Sequence, residues 1–127
     1  MLLDTHVWLW LQTTPERIRE STLGMLGDTG NELLLSAASS WEIAIKYAIG
    51  RLRLPVAPEA YVEARMAQSG TRGLPVEHRH ALRVAALPMH HRDPFDRLLV
   101  AQAQLENAAL VTSDHQLDPY DIERLLA

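Results

Sequence analysis

The sequence predicts an α/β fold with a central, mostly parallel sheet flanked by helices. Short apolar runs bounded by polar residues, typical of buried strands, alternate with longer segments in which apolar residues recur at helical spacing. No internal repeat or low-complexity linker interrupts this alternation. A length of 127 residues, with 47% hydrophobic and 22% charged residues, suits one globular domain, which we expect to span residues 1–127.

The first half of the chain contains two predicted strands and two predicted helices. The strands are the apolar runs 1–4 and 32–35. A helix over 37–49 follows and ends at Gly50. Four of its residues share an apolar face: Trp41, Ile45, Ala48 and Ile49. The second helix, over 59–68, lies between helix-breaking prolines and a pair of glycines: Pro55, Pro58, Gly70 and Gly73.

The second half continues the alternation. The predicted elements are a short edge strand over 74–76, a helix over 77–87 stopped by Pro88, a helix over 95–107 and a strand over 109–113. The tail, residues 118–127, has two interpretations. Ile122, Leu125 and Leu126 have helical spacing, but a short closing edge strand would also be partly apolar.

The composition excludes several classes of protein. The absence of cysteine excludes disulfides and thiolate zinc sites, and a reducing cytoplasm is the expected location. Polar residues interrupt every apolar stretch well before the roughly 20 residues of a membrane span. No basic segment precedes the apolar N-terminus. We therefore expect neither membrane insertion nor a signal peptide.

The net charge of −4 hides an uneven distribution. Residues 43–92 carry eight Lys and Arg against three acids, whereas 1–42 carry two against six and 93–127 carry two against seven. A solvated distribution with no partner is the default interpretation. Acids at a metal site beside a basic surface are also what a metal-dependent nuclease requires, because phosphates need the basic surface.

Four carboxylates are the main candidates for chemistry: Asp4, Glu42, Asp96 and Asp114. Asp4 ends a predicted strand and Asp114 directly follows one. Glu42 and Asp96 lie in the first turns of predicted helices. The carboxyl ends of parallel strands line one crevice, so acids placed there converge even when they are distant in sequence. Oxygen-only ligand sets select Mg²⁺ or Mn²⁺, and such ions usually serve phosphoryl transfer or phosphodiester hydrolysis.

The same acids also have ordinary structural explanations. Glu42 and Lys46 stand at i and i+4, the spacing of a surface ion pair worth about 0.2–0.5 kcal/mol, although the place of Glu42 beside the crevice favours a ligand role. In the segment DPFD, residues 93–96, Asp93 is suited to cap a helix. The carboxylate of Asp96, in the first helical turn, can interact favourably with the helix dipole and can also bind a metal. The side chain of Asp114 can begin a turn.

Histidines and tryptophans are less informative. His90 and His91 lack the i, i+4 spacing of a helical metal pair, so a solvated loop or a phosphate contact is predicted for them. His6 either packs in the fold or leans over the crevice. Three early apolar residues have core packing as the default, with a dimer or partner face as the alternative because Trp is enriched at binding hot spots: Trp8, Trp10 and Leu11.

Four segments in series resemble the PIN (PilT N-terminus) domain family, and in particular VapC-type toxins of bacterial toxin–antitoxin pairs. They are LLDTHVWLW, SAASSWEIAIK, HRDPFDRLLVAQA and LVTSD, and together they cover nearly the whole chain in the right order. Each motif is weak alone, but four at these spacings are specific. The resemblance implies a three-layer α/β/α fold, an endoribonuclease activity that depends on Mg²⁺ or Mn²⁺, a cognate antitoxin and a homodimer.

The resemblance also assigns residues. The acidic quartet of the family falls on Asp4, Glu42, Asp96 and Asp114, the accompanying hydroxyl on Thr112 with Ser113 beside it, and Asp93 becomes an auxiliary acid as well as a cap. Candidates for RNA backbone contact are Lys46, Arg51, Arg53 and Arg92. The last residues, LDPYDIERLLA, depart from the family because they lack an obvious aromatic, β-branched closing strand.

The sequence therefore predicts a ribonuclease whose four acids hold one or two divalent ions, directly or through water. By resemblance, cleavage leaves a 5′-phosphate and a 3′-hydroxyl. Two alternatives stay open. One is a non-catalytic PIN-like module that binds RNA or a protein partner. The other is a phosphotransfer domain that uses Asp4, although such phosphatases usually have a second Asp two residues later, where this chain has His6.

Overall fold

A five-stranded sheet forms the centre of the computed structural model, which describes residues 1–127. The strands are β1 (Leu2–Leu3), β2 (Leu33–Ser36), β3 (Thr71–Leu74), β4 (Leu110–Thr112) and β5 (Arg124–Leu126). Their spatial order is β3-β2-β1-β4-β5, and every neighbouring pair is parallel. The prediction of a mostly parallel sheet is confirmed.

Six helices surround the sheet. They are α1 (Thr5–Thr13), α2 (Glu20–Gly27), α3 (Ala37–Ala48), α4 (Pro58–Ser69), α5 (His78–Arg83) and α6 (Pro94–Leu105), with short 3₁₀ turns at Pro15–Arg17, Val84–Ala86 and His115–Leu117. None of these helices combines the length and the apolar character needed to cross a membrane.

Two separate cores give the molecule its three layers. Successive strand residues alternate between them, because side chains on a strand point to opposite faces. Leu2 lies in a cluster with Leu99 of α6, whereas Leu3 lies in a cluster with Trp8 of α1 and Ile43 of α3. Both faces of the sheet are therefore covered by helices, and the expected α/β/α arrangement is confirmed. Such double burial also explains why the strands are almost continuously apolar.

Two helices, α1 and α2, were not predicted from the sequence pattern. In α1, residues THVWLWLQT include β-branched and aromatic types with low helix propensity. Tertiary packing overrides that preference. Trp8 is fully buried and its Nε1 donates to Oγ1 of Thr71, 3.2 Å away, while Trp10 and Leu11 pack partly buried against the same core. Core packing, the default for these residues, is confirmed.

Two further elements differ from their predicted bounds by more than two residues, and the tail adopts one of its two predicted forms. The edge strand β3 lies at 71–74, so the prediction of 74–76 is wrong; Pro75 has no N–H to donate to a sheet ladder. The helix predicted over 77–87 ends at Arg83 and continues only as a 3₁₀ turn. The tail forms strand β5 beside β4, with Val111 opposite Leu125, which decides between its two interpretations.

Candidate metal centre

Asp4 and Asp114 follow two neighbouring strands of the sheet. β1 and β4 are parallel neighbours with Leu3 opposite Val111. Asp4 caps α1 through Oδ1, which accepts from the backbone N–H of His6 at 3.3 Å. Asp114 caps the following 3₁₀ turn, with Oδ1 accepting from N–H of Gln116 at 2.9 Å. Both acids therefore begin a helical turn within two residues of the end of a strand, at the carboxyl edge of the sheet.

A buried threonine connects these two acids. Thr112 has no exposed surface, and its Oγ1 donates to Oδ2 of Asp4 at 2.8 Å. The same oxygen accepts from the backbone N–H of Asp114 at 3.0 Å. The hydroxyl expected beside the last acid is thus present at Thr112. Ser113 is exposed and lies outside this network.

Glu42 reaches the same edge from α3. Ser36 ends β2 and caps α3, with Oγ accepting from N–H of Ala38 at 3.0 Å. Glu42 is buried, and its Oε2 accepts from Nζ of Lys46 at 2.8 Å. The predicted i, i+4 ion pair exists, but its acid lies inside the fold rather than on the surface. A hydrogen bond of 2.9 Å between Thr5 and Ser39 joins α1 to α3 beneath it.

Asp93 and Asp96 divide the two roles predicted for the DPFD segment. Oδ1 of Asp93 accepts from the backbone N–H groups of Phe95 at 2.9 Å and of Asp96 at 3.4 Å, so Asp93 is the cap of α6. Asp96 instead faces the crevice. Its Oδ2 lies 2.8 Å from Nε2 of His91, and the same nitrogen lies 3.1 Å from Oδ2 of Asp114.

The prediction of a solvated loop or phosphate contact is wrong for His91, whereas His90 does lie exposed in the loop. Only 13% of the His91 side chain is exposed, and its ring lies between two of the four candidate acids. The ring of His90 packs edge-on against Tyr120, with centroids 5.1 Å apart. Sequence reasoning missed His91 because it considered only the spacing of a helical ligand pair. The loop before the α6 cap instead brings His91 back over Asp96, five residues later. His6, by contrast, is exposed beside Asp4.

The predicted basic residues fall in two places. Lys46 and Arg51 line a cavity of about 380 Å³ together with His6, over a floor that includes Leu9 and Leu52. Because Lys46 pairs with Glu42 and His6 with Asp4, this cavity adjoins the acids. Arg53 is exposed two residues beyond Arg51. Arg92 lines a separate cavity with Met89, Pro94 and Arg97.

Comparison with known protein families identifies the family of this chain. The model for the PIN domain matches residues 1–123. The chain belongs to the PIN domain family. Ribonuclease VapC16 of Mycobacterium tuberculosis is 48% identical over 59 residues, a stretch that is 46% of this chain and 42% of that protein. The match therefore spans less than half of the length of that relative.

Solved structures share the fold at low identity. The structure of VapBC2 from Rickettsia felis matches with a TM-score of 0.73 and 14% identity, over 98% of this chain and 96% of that one. FitAcB from Neisseria gonorrhoeae matches with a TM-score of 0.64 and 19% identity, over 98% and 95% of the two chains. These likenesses establish the PIN architecture of the chain.

In this PIN domain the pKa values of Asp4 and Asp96 shift in opposite directions. Burial raises the pKa of Asp96 to about 7, and the negative charges of Asp4 and Asp93 add to the rise while His91 opposes it. Burial alone would also raise the pKa of Asp4, but interactions with His6 and Thr112 outweigh burial and lower it. The Asp4 carboxylate in turn raises the pKa of His6.

These donor atoms fit a hard divalent cation. The set consists of carboxylate oxygens, which suit Mg²⁺ and Mn²⁺. The like charges of Asp4 and Asp96 disfavour the ionised form of Asp96, and a bound cation would favour it. His91, Asp96 and Asp114 also present ligand-type atoms that all lie within 4.8 Å of one another.

We predict a pH-dependent stability for the metal-free protein. The folded-state pKa of Asp96 is raised from 3.8 to about 7, so between these values the folded protein binds a proton that the unfolded chain has lost. The free energy of unfolding should therefore fall as pH rises from about 4 to about 7, by on the order of a few kcal/mol at most. Asp96→Asn should lose this part of the slope and melt higher than wild type at pH 7 to 8 in EDTA.

Thermal melting between pH 5 and pH 8 in EDTA measures this slope. His6 also has a raised pKa and stabilises the fold at lower pH, but the variant retains that contribution. Asp121→Asn is the control, because it removes an exposed carboxylate that is not among the causes of the raised pKa of Asp96. If the free energy of unfolding of Asp96→Asn fell with pH as steeply as that of wild type, the titration of Asp96 would not be its cause.

Proposed function

We propose that this PIN domain is a divalent-metal-dependent endoribonuclease and the toxin of a toxin–antitoxin pair. The observation that carries the proposal is that ligand-type atoms of His91, Asp96 and Asp114 lie within 4.8 Å of one another, beside Asp4, whose negative charge raises the pKa of Asp96. We add Glu42 because its charge acts on His6, which pairs with Asp4. The similarity to a ribonuclease over 59 residues supports the same activity. Active sites of open parallel sheets lie at the carboxyl edge of the sheet.

The four acids are proposed as the ligands of Mg²⁺ or Mn²⁺. A bound ion would supply a water acidic enough to react near neutral pH and would offset charge on the scissile phosphate. Thr112 orients Asp4 through the 2.8 Å hydrogen bond, and Lys46 orients Glu42 through the 2.8 Å ion pair. No side chain is needed as a covalent nucleophile. The products expected from the resemblance to the family carry a 5′-phosphate and a 3′-hydroxyl.

The cavity beside the acids is proposed to hold part of the RNA. His6, Lys46 and Arg51 provide positive charge along it, and Leu9, Ile43 and Leu52 provide an apolar surface. Its lining residues include no carboxylate, so it complements a phosphate backbone next to the acidic crevice. Arg53 and Arg92 would extend the contact along the RNA strand.

Metal-dependent RNA cleavage is the direct test. Purified protein should cut RNA with Mg²⁺ or Mn²⁺ and stop when EDTA is added. Asp4→Asn, Asp96→Asn, Asp114→Asn and Glu42→Gln should each lower the cleavage rate at least a hundredfold, whereas Asp93→Asn should keep most activity because Asn still caps α6. Undiminished cutting in excess chelator would contradict the mechanism. Binding of RNA without any cleavage would favour the non-catalytic module instead.

The role of the basic residues is tested by salt dependence. Arg51→Gln with Arg53→Gln should weaken RNA binding and reduce the slope of log K against log salt by about 0.7 for each phosphate that is no longer neutralised. Lys46 is left unchanged because it holds Glu42. Arg19→Gln with Arg83→Gln removes the same charge from two other exposed positions and serves as the control. Equal slopes in both double variants would show that RNA lies elsewhere.

A homodimer is proposed through the outer face of α3. Trp41, Ile45, Ala48 and Ile49 share one face, as predicted, but that face is turned to solvent, with Trp41 63% and Ile49 61% exposed. The Trp41 ring stands edge-on to that of Phe95 at 5.3 Å, so the patch continues onto α6. Exposed apolar patches with a central Trp are typical of protein interfaces.

Changing this face should alter the oligomeric state. Trp41→Glu should convert a dimer into a monomer, because a desolvated charge at the centre of an apolar interface is unfavourable. Light scattering coupled to size-exclusion chromatography measures the mass. Leu82→Glu is the control, since Leu82 is 73% exposed on α5 and lies outside the patch. A Trp41→Glu protein with the mass of wild type would exclude this face as the interface.

An antitoxin is proposed as the protein partner. The support is the similarity of the fold to VapBC2 of Rickettsia felis, which was solved bound to a DNA fragment from its promoter. The partner is sought by co-expression with the product of the neighbouring reading frame. Co-purification together with loss of RNA cleavage in the complex would identify it.

A further inference from the structure

Arg97 is a buried cation to which the proposed chemistry gives no role. It directly follows Asp96 on α6, and only 7% of it is exposed. Its Nη1 donates to the carbonyl oxygen of Pro88 at 3.0 Å, and its Nη2 donates to that of Val84 at 3.1 Å. A buried charge is costly unless it is hydrogen-bonded, and the planar guanidinium can bond to several fixed acceptors at once. Arg97 therefore ties the start of α6 to the segment that precedes it.

The phenol of Tyr120 holds the same guanidinium from the C-terminal segment. Tyr120 is buried, and its Oη accepts from Nη1 of Arg97 at 3.3 Å. The same oxygen lies within hydrogen-bond distance of two backbone N–H groups, those of His90 at 3.2 Å and His91 at 3.0 Å. We call the Arg97 guanidinium and the Tyr120 phenol the clasp. The clasp joins three parts of the chain, which are α6, the loop before it and the C-terminal segment.

Two of the proposed metal ligands lie on the segments that the clasp joins. Asp96 is the residue before Arg97, and Asp114 caps the 3₁₀ turn that ends at Leu117. Leu117 is fully buried, and its carbonyl oxygen accepts from the backbone N–H of Tyr120 at 3.2 Å. One carboxylate oxygen of Asp96 and one of Asp114 lie within 4.8 Å of each other. The contact between Arg97 and Tyr120 therefore restrains the distance between these two carboxylates through the backbone that carries them.

We propose that Arg97 is a positioning residue for the metal centre, which acts with Tyr120 to keep Asp96 and Asp114 at the separation that a shared divalent ion requires. This inference rests on the proposed metal-dependent function. Ligands that are held in place before an ion arrives bind it more tightly, because the cost of ordering them is already met by the fold. Neither Arg97 nor Tyr120 is proposed to contact the ion or the RNA.

The affinity for Mn²⁺ tests the clasp. Tyr120→Phe removes Oη but keeps the ring that packs against His90. Arg97→Lys keeps the charge but loses the planar fork that reaches several acceptors. Electron paramagnetic resonance of free Mn²⁺ during titration should show an affinity that is roughly tenfold lower in each variant, the lower end of the effect of removing groups that support metal ligands. RNA cleavage should slow at limiting Mn²⁺ and recover at saturating Mn²⁺, with an unchanged KM for RNA.

A second phenol provides the matched control. Tyr61 is buried like Tyr120, but its Oη has no hydrogen-bond partner. Tyr61→Phe therefore makes the same chemical change without breaking a contact, and it should bind Mn²⁺ as wild type does. Melting curves of every variant, recorded in EDTA, identify the temperatures at which each is folded, and the titrations are made below them.

Each outcome decides the inference. Wild-type affinity for Mn²⁺ in folded Tyr120→Phe and Arg97→Lys would overturn it, even if both variants melt lower, because a purely structural clasp affects stability alone. If Arg97→Lys does not fold, Tyr120→Phe decides. Unchanged affinity in the variants, together with chelator-sensitive cleavage by wild type, would exclude only the clasp. A wild-type protein that binds no Mn²⁺ and cuts RNA in excess chelator would overturn the proposed function as well.

Discussion

Parallel pairing of β1 with β2 and β4 forces carboxylates from distant parts of the chain to share one edge of the sheet, and the neighbouring structure offsets that crowding. Each acid receives a donor from a neighbouring residue or element. Thr112 of β4 donates to Asp4 of β1, and Lys46 pairs with Glu42 one turn earlier. His91 contacts the other two acids from the loop before α6. Because buried charges are costly unless paired, these donors are what allow the acids to remain close together in a folded protein.

Structural and functional explanations for the acids turn out to be compatible. Asp4, Asp93 and Asp114 all cap helical turns, and in each the cap uses Oδ1. A carboxylate has a second oxygen, and the cap fixes the direction in which that oxygen points. In Asp4 and Asp114, Oδ2 is turned to Thr112 and to His91 respectively. Capping therefore orients the proposed ligands, which is why a sequence pattern that indicates a cap does not argue against a metal site.

The sequence predicted those features that follow from periodicity and from the geometry of parallel sheets. Strand ends are recognisable, and in a parallel sheet they meet, so the convergence of Asp4 with Asp114 could be expected before the structure. Local propensity misjudged α1, whose Trp8 is helical only because the core requires it. Local propensity also misplaced β3, because the predicted strand included Pro75, which cannot donate to a sheet ladder. The contact of His91 with Asp96 was beyond such reasoning, because it depends on a loop held by Tyr120 of the C-terminal segment.

Asp4 and Asp96 lie near each other in one crevice, yet their pKa values shift in opposite directions. Asp4 accepts enough hydrogen bonds to lower its pKa despite burial, whereas the pKa of Asp96 rises to about 7. Asp96 lies in the first turn of α6, where the helix dipole favours a negative charge, but only by about 0.3–1 kcal/mol at an exposed position. Desolvation and the charges of Asp4 and Asp93 outweigh that gain. A bound cation would favour the ionised form of Asp96, so at this residue stability in the absence of metal and affinity for metal would be opposed.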